Sequence, residues 1–234
     1  MTTYATVATA SEAVGLAARG GFALDGAERN GGLAGVATIV MLGLDGPRGW
    51  SAFCASPEGG DGAAEPLDRW SRRIIDGLAG RFGATALYPF GGPPHWPFQR
   101  WARRAEPLHV SPLGLLIHPV EGLWRGYRGA LGFADLPPPP PPPTAPSPCE
   151  RCADRPCLRA CPVGAFAASG YDVAACAAHL RTAAERACME QGCLARRACP
   201  IGADRAHAPD QAAFHMRAFL SARPRASSCD AGNG

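Results

Sequence analysis

Eight of the ten cysteines fall between residues 149 and 199. Four stand in CERCADRPCLRACPVGAF, residues 149 to 166, as Cys149, Cys152, Cys157 and Cys161. The other four, Cys176, Cys188, Cys193 and Cys199, close on ACPIGA. Each set ends in Cys-Pro followed by a small turn, CPVGA and CPIGA, which makes the two sets a pseudo-repeat. Thiols grouped in this way suit three chemistries: disulfide staples, zinc ligation, or the wall of an iron-sulfur cluster.

Length weighs against staples, because a chain of 234 residues can bury a core without cross-links. Zinc commonly takes two C-x2-C knuckles, and only one C-x2-C occurs here. Iron-sulfur ligation uses C-x2-C-x2-C-x3-C-P, in which three close thiolates hold one cubane and the fourth reaches a second cluster. This chain has ADRP, four residues, between its second and third ligands, and MEQG gives the same four-residue gap between Cys188 and Cys193. A departure repeated in both halves reads as a variant design. The spacing therefore favours two 4Fe-4S clusters, with zinc and disulfides as the alternatives. By the cross-over rule, Cys149, Cys152, Cys157 and Cys199 hold one cluster, and Cys161, Cys176, Cys188 and Cys193 the other. Cys54 and Cys229 stand apart, and read as a small buried hydrophobe and a tail residue.

Charge does not point to nucleic acid. The net charge is +3, and all 23 basic residues are arginine; in a chain rich in alanine, glycine and proline, codon bias accounts for that choice. Between residues 149 and 205 there are eight arginines and six acids. Two oxidised cubanes with four thiolates each carry about −2 apiece, so these arginines mostly offset the clusters. Adjacent Arg196 and Arg197 remain available to face a partner. No stretch reaches the roughly 18 apolar residues of a membrane span, and the start, MTTYATVATASEAVG, has no basic head or dense apolar run. The expectation is a soluble, cytoplasmic protein in a reducing compartment.

Around these thiols the chain divides at LPPPPPPPTAPSP, residues 136 to 148. Seven consecutive prolines favour polyproline II and span roughly 20 Å, as a linker or as a strap over the surface. The expected domains are residues 1–135, the linker 136–148, a ferredoxin-type domain over 149–225 and a tail over 226–234. Residues 10–19 and 66–82 read as helices, the second with Leu67, Trp70, Ile74, Ile75 and Leu78 on one face. Residues 35–44, 84–90, 114–118 and 127–133 read as strands. The expected fold class is α+β: an N-terminal α/β domain followed by a ferredoxin-like domain with two 4Fe-4S clusters. YPFGGPPHWPFQRW, residues 88 to 101, offers Trp96, Phe98 and Trp101 as a flat wall for a cofactor. His95 and His118 are candidate cofactor contacts beside Trp96. The competing reading is a loop that packs its own aromatics, with ordinary hydrogen-bonded histidines.

The first cysteine run, the lone Cys176 and ACMEQGCLARRACPIG together resemble the iron-sulfur domain of the epoxyqueuosine reductase family. SPLGLLIHPVEGLWRGYRGALGFADLPP, residues 111 to 138, is similar to the segment joining that family's cobalamin-binding domain to its clusters. The resemblance covers about the last half of the chain. It implies two 4Fe-4S clusters feeding electrons to a cobalamin and a cobalamin-binding or degenerate cobalamin-binding N-terminal domain; the expected partner is a redox protein or reductase, and nucleic acid is not expected, although the resemblance leaves tRNA open. Two departures stand beside it. No aspartate lies between Asp76 and Asp135, where the family carries its proton donor, and the chain has no lysine. Three functions follow: an electron-transfer protein serving a cofactor or a partner reductase, a cobalamin-dependent reductase, and a zinc-binding interaction module.

Overall fold

The N-terminal part of the chain runs α1 (Tyr4–Glu12), β1 (Leu16–Ala23), α2 (Gly26–Asn30), β2 (Thr38–Leu44), α3 (Gly46–Cys54), α4 (Pro57–Gly60) and α5 (Pro66–Phe82). It continues through β3 (Thr85–Leu87), α6 (Phe98–Ala105), β4 (His109–Val110), β5 (Leu116–Ile117) and β6 (Tyr127–Phe133). These elements are seen in a computed structural model that describes residues 1–182 and 186–223. Four strands form one sheet in the order β1-β2-β6-β3, and β4 and β5 form a separate hairpin.

Helices cover both faces of the sheet. Val40 and Leu42 of β2 point into a core with Val7, Trp50, Phe53, Trp70 and Ile75 from α1, α3 and α5. Ile39 and Met41 point the other way, toward Phe22, Phe98 and Trp101 beneath α6. This is the period-two alternation of a strand, and each large side chain buried in this way contributes roughly 1.5–3 kcal/mol. Because both faces are covered, β2 reads as an unbroken apolar run, and such a run does not reveal strand direction. Every pair in the sheet is antiparallel. The N-terminal part is thus α+β, not the α/β domain expected from the mixed elements.

Residues 66–82 and 127–133 have the expected bounds. The helix at residues 10–19 does not form. Gly15 takes a left-handed φ of +83°, α1 stops at Glu12, and Leu16 pairs across to Leu44. Alanine-rich sequence suggested a helix, and the sheet pairing overrides that propensity. Cys54 is exposed, because α3 buries Gly49, Trp50 and Phe53 on the opposite side. Cys229 lies outside the described residues.

The proline segment is a strap. Thr38 Oγ1 donates to the Leu136 carbonyl at 2.6 Å, and the Ala145 carbonyl lies 2.8 Å from His109 Nε2. Between these ties, a Cβ on Gly21 would stand 3.2 Å from the Pro139 ring. Beyond the strap come a 3-10 turn (Pro148–Arg151), α7 (Pro156–Arg159), β7 (Phe166–Ala167), β8 (Gly170–Tyr171), α8 (Val173–Leu180), α9 (Arg186–Gln191), α10 (Leu194–Arg197) and α11 (Pro209–Ser221). α11 returns to the sheet: Trp50 Nε1 donates to Asp210 at 2.6 Å, and the Phe214 ring packs 5.3 Å from that of Trp50. Among the described residues, no helix is long and apolar enough to cross a membrane.

Candidate metal centre

The first cysteine loop is built from two tight turns. Pro148 opens the 3-10 turn that carries Cys149, and Pro156 opens α7, which carries Cys157; proline at a first helical position has its φ already set. Cys149, Cys152 and Cys157 line one small cavity together with Cys199, which arrives from the far end of the second set. The remaining wall is Pro112, Ile117, Pro148, Arg155, Pro156, Pro200 and Ile201. The sheet domain therefore supplies part of the wall, through Pro112 and Ile117.

Proximity among these thiols shows in their electrostatics. Burial raises the Cys149 thiol above its ordinary range, and Cys199, Cys157 and Cys152 raise it further, while Ser147 opposes them through a hydrogen bond. Burial also raises Cys157, again with Cys199 and Cys152 behind it. Thiols that resist one another's ionisation gain most from a cationic metal core among them. Among the described residues, no three His, Cys, Asp or Glu side chains converge tightly enough to hold a single ion. Four cysteine thiols around one small cavity are a donor set that either zinc or an iron-sulfur cluster accepts. The donor chemistry of the cavity fits a cluster.

The second set is also gathered. Burial raises the Cys193 thiol, with Cys188 and Cys176 adding to the effect. The Tyr171 hydroxyl is hydrogen-bonded to Cys176 and is itself raised, first by burial. Cys161 Sγ accepts from the Ala165 amide at 3.3 Å. Cys161 and Cys193 pack on the same apolar cluster as Cys157 and Cys199, with Leu113, Ile117 and Leu123 at its centre. No cysteine among the described residues is in a disulfide.

Of the three candidate cofactor contacts in the sheet domain, His95 and Trp96 line one open cavity of about 690 Å³, with Arg100, Trp101 and Arg104. Trp96 stacks on Trp101, centroids 5.9 Å apart and planes 22° apart; Phe98 turns into the core. His118 does not line that cavity. Its Nδ1 accepts from the amides of Val120 and Glu121 at 3.2 and 3.1 Å, so it shapes the turn that meets the cysteine region, and burial lowers its pKa.

A buried ionic network went unread in the sequence. The Tyr127 hydroxyl donates to Glu106. Arg125 lies 2.8 Å from Glu106 and 2.9 Å from Glu121, and is 7% exposed. Arg19 reaches Glu121 at 3.7 Å. Burial pushes the Glu106 carboxyl up to about 7, against the hydrogen bond from Tyr127 and the charge of Arg19, which both lower it. A second unread feature is a ring stack. Arg196 lies 4.3 Å over Trp124, Trp124 packs 5.1 Å from His207, and His207 packs 5.2 Å from His215.

No protein-family model matches the chain, and no curated protein matches it in sequence. Solved structures do. A selenomethionine-labelled epoxyqueuosine reductase is 12% identical, with a TM-score of 0.52 over 89% of this chain and 68% of that one. Epoxyqueuosine reductase from Streptococcus thermophilus is 14% identical, with a TM-score of 0.52 over 91% of this chain and 70% of that one. An epoxyqueuosine reductase with an epoxyqueuosine-modified tRNA-Tyr stem loop is 13% identical, with a TM-score of 0.49 over 89% and 69%. At these identities the likeness is one of fold.

Proposed function

We propose that the protein is an iron-sulfur oxidoreductase carrying two 4Fe-4S clusters, which deliver single electrons to a cofactor in its sheet domain, cobalamin being the candidate. The observation that carries this reading is the arrival of Cys199 at the cavity walled by Cys149, Cys152 and Cys157, which is the exchange of a terminal ligand that two-cluster loops use. In the reading, Cys161, Cys176, Cys188 and Cys193 hold the other cluster.

A cobalamin-dependent reductase goes ahead of a free-standing electron carrier because the fold shared with epoxyqueuosine reductases covers 89% of the chain and so includes the sheet domain. A bound cobalamin would supply a metal-centred nucleophile or one-electron reductant. The chain's contribution is the aromatic wall of Trp96 and Trp101, with His95 and Arg100 at the rim. The region that lacks aspartate has two acids, Glu106 and Glu121, and Glu106 is the one buried beside Tyr127 and Arg125. The electron carrier remains the second reading, favoured by the same cysteines. The partners that follow are a redox protein as donor and, by analogy with the neighbours, an RNA substrate, in a reducing compartment such as the cytoplasm.

Anaerobic purification tests all of this. Eight irons and eight sulfides per chain are expected for two cubanes, with an EPR signal on reduction. Stoichiometric zinc in a colourless protein would replace the proposal with the zinc module. Cobalamin added to the loaded protein should be retained on dialysis with a changed visible spectrum; no retention leaves the electron carrier in its place.

A further inference from the structure

We infer that the Tyr171 hydroxyl tunes the reduction potential of the second cluster by donating a hydrogen bond to the sulfur of Cys176; the inference rests on the cluster reading above. The placement follows from the way α8 begins. Asp172 caps the helix, its carboxylate accepting from the Ala175 amide at 2.8 Å and its carbonyl from the Cys176 amide at 3.2 Å. Tyr171 is therefore the residue before the cap and Cys176 the fourth residue of the helix. Those are the two positions whose side chains pack together where a chain enters a helix.

The hairpin of β7 and β8 holds the ring from the other side. Tyr171 pairs with Phe166 across it, and the two rings stack with centroids 4.7 Å and planes 9° apart. Phenylalanine at position 171 would satisfy both contacts, so the hydroxyl is what tyrosine adds. It is hydrogen-bonded to Cys176; burial first, and then that bond, raise its pKa, so it keeps its proton and donates. The same hairpin serves another sulfur of this ligand set, since the Ala165 amide, one residue before β7, donates to Cys161 Sγ at 3.3 Å. One electron entering from an external one-electron reductant, such as a viologen radical, takes a cubane with four thiolates from about −2 to about −3, with no bond made and no proton moved. Part of the added charge falls on the ligand sulfurs, so a donor aimed at one of them favours the reduced state and raises the potential.

The test is an EPR-monitored redox titration of the loaded full chain, wild type against Y171F and against the protein carrying 3-fluorotyrosine at position 171. Y171F keeps the ring stack and loses the donor. The ratio of reduced to oxidised second cluster should fall several-fold at a fixed potential, with the first cluster unmoved and iron content and melting temperature near wild type. Fluorine makes the phenol the stronger donor, so in that protein the ratio should rise. Opposite shifts are the signature of the hydrogen bond, because a residue that only packs would not produce them. Full iron with an unmoved second-cluster potential in Y171F overturns the Tyr171 assignment alone, and so does a shift of the same sign in both proteins. Should Y171F lose iron, the fluorinated protein decides, and an unmoved potential there overturns the assignment. A wild-type protein without iron and sulfide overturns the cluster reading and this inference with it.

Discussion

Gly122 lies so close to Ile201 that a Cβ on the glycine would stand 1.8 Å from the Ile201 carbonyl oxygen. The contact is reciprocal, since a Cβ on Gly202 would stand 2.4 Å from the carbonyl of Glu121. Both glycines are left-handed, at φ +62° and +65°. This seam presses the Cys199-Pro200 corner onto the sheet domain. Gly122→Ala combines backbone strain with a collision that no rotamer relieves, and should cost about 2–4 kcal/mol. Ile201 lines the four-cysteine cavity, so in the two-cluster reading proposed above the variant should also lose iron from the first site. Thermal unfolding and iron per chain check both effects, and a wild-type melt with full iron would show the seam to be dispensable.

The cross-over of Cys199 makes a paired prediction. Cys199→Ser should remove the cluster of the first loop and leave the other, so iron falls by about half. Cys188→Ser should do the reverse. EPR of the reduced proteins distinguishes the two species. If both variants lose the same signal, the assignment of ligands is wrong.

Removing the metal should loosen the cysteine region more than the sheet. The thiols repel one another once ionised, and in the reading above only the clusters hold them together. Chelation or air oxidation should therefore open residues 149–205 to protease, while the core around Trp70 and Ile75, both almost fully buried, stays protected. Equal cleavage patterns before and after chelation would contradict this.

How much of this was legible in the sequence depended on the kind of signal. The helix α5 could be read to the residue because Pro66 starts it, Gly83 ends it in a left-handed cap and its apolar face is regular. The two cysteine sets could be read from spacing alone, and the structure has Cys199 lining the same cavity as Cys149, Cys152 and Cys157. β1 could not, because LAARGGFA has helical composition, and only pairing with β2 makes it a strand. The network of Arg19, Glu106, Glu121, Arg125 and Tyr127 was invisible for a different reason. Charged residues at the ends of elements look like solvated surface, and nothing local says that residues about a hundred positions apart will meet. The same holds for Trp50 and Asp210.

That last pair ties α11 to the sheet domain. Trp50→Phe keeps the ring that packs on Phe214 and deletes the 2.6 Å hydrogen bond to Asp210. A single bond of this kind contributes about 1 kcal/mol. The expected outcome is a modest fall in stability with earlier protease cleavage after α10, and Asp210→Ala, which removes the acceptor, should reproduce it. Unchanged cleavage in both variants would mean that ring packing alone secures the helix.

The ring stack at the same junction sets a pH dependence. Burial pushes His207 down to about 3, aided by Arg196, His215 and Arg197. His215 is pushed down to about 4 by burial, with Arg196 and Arg128 behind it. Unfolded, each imidazole takes a proton near its ordinary value of about 6.5. The folded chain refuses those protons, so the unfolded state binds more of them and stability rises with pH across this window. The contribution is whole above about 6.5 and is lost progressively as pH falls toward the folded values. Each histidine costs at most about 1.4 kcal/mol per pH unit on the way down. Urea midpoints at pH 7.5 and pH 5.0, with iron content verified at both, should show the loss. His207→Phe retains a ring against Trp124 and removes one proton site, so its stability should fall about half as steeply. Should wild type and variant decline in parallel, some other group carries the acid sensitivity, and the stacked histidines only fill space.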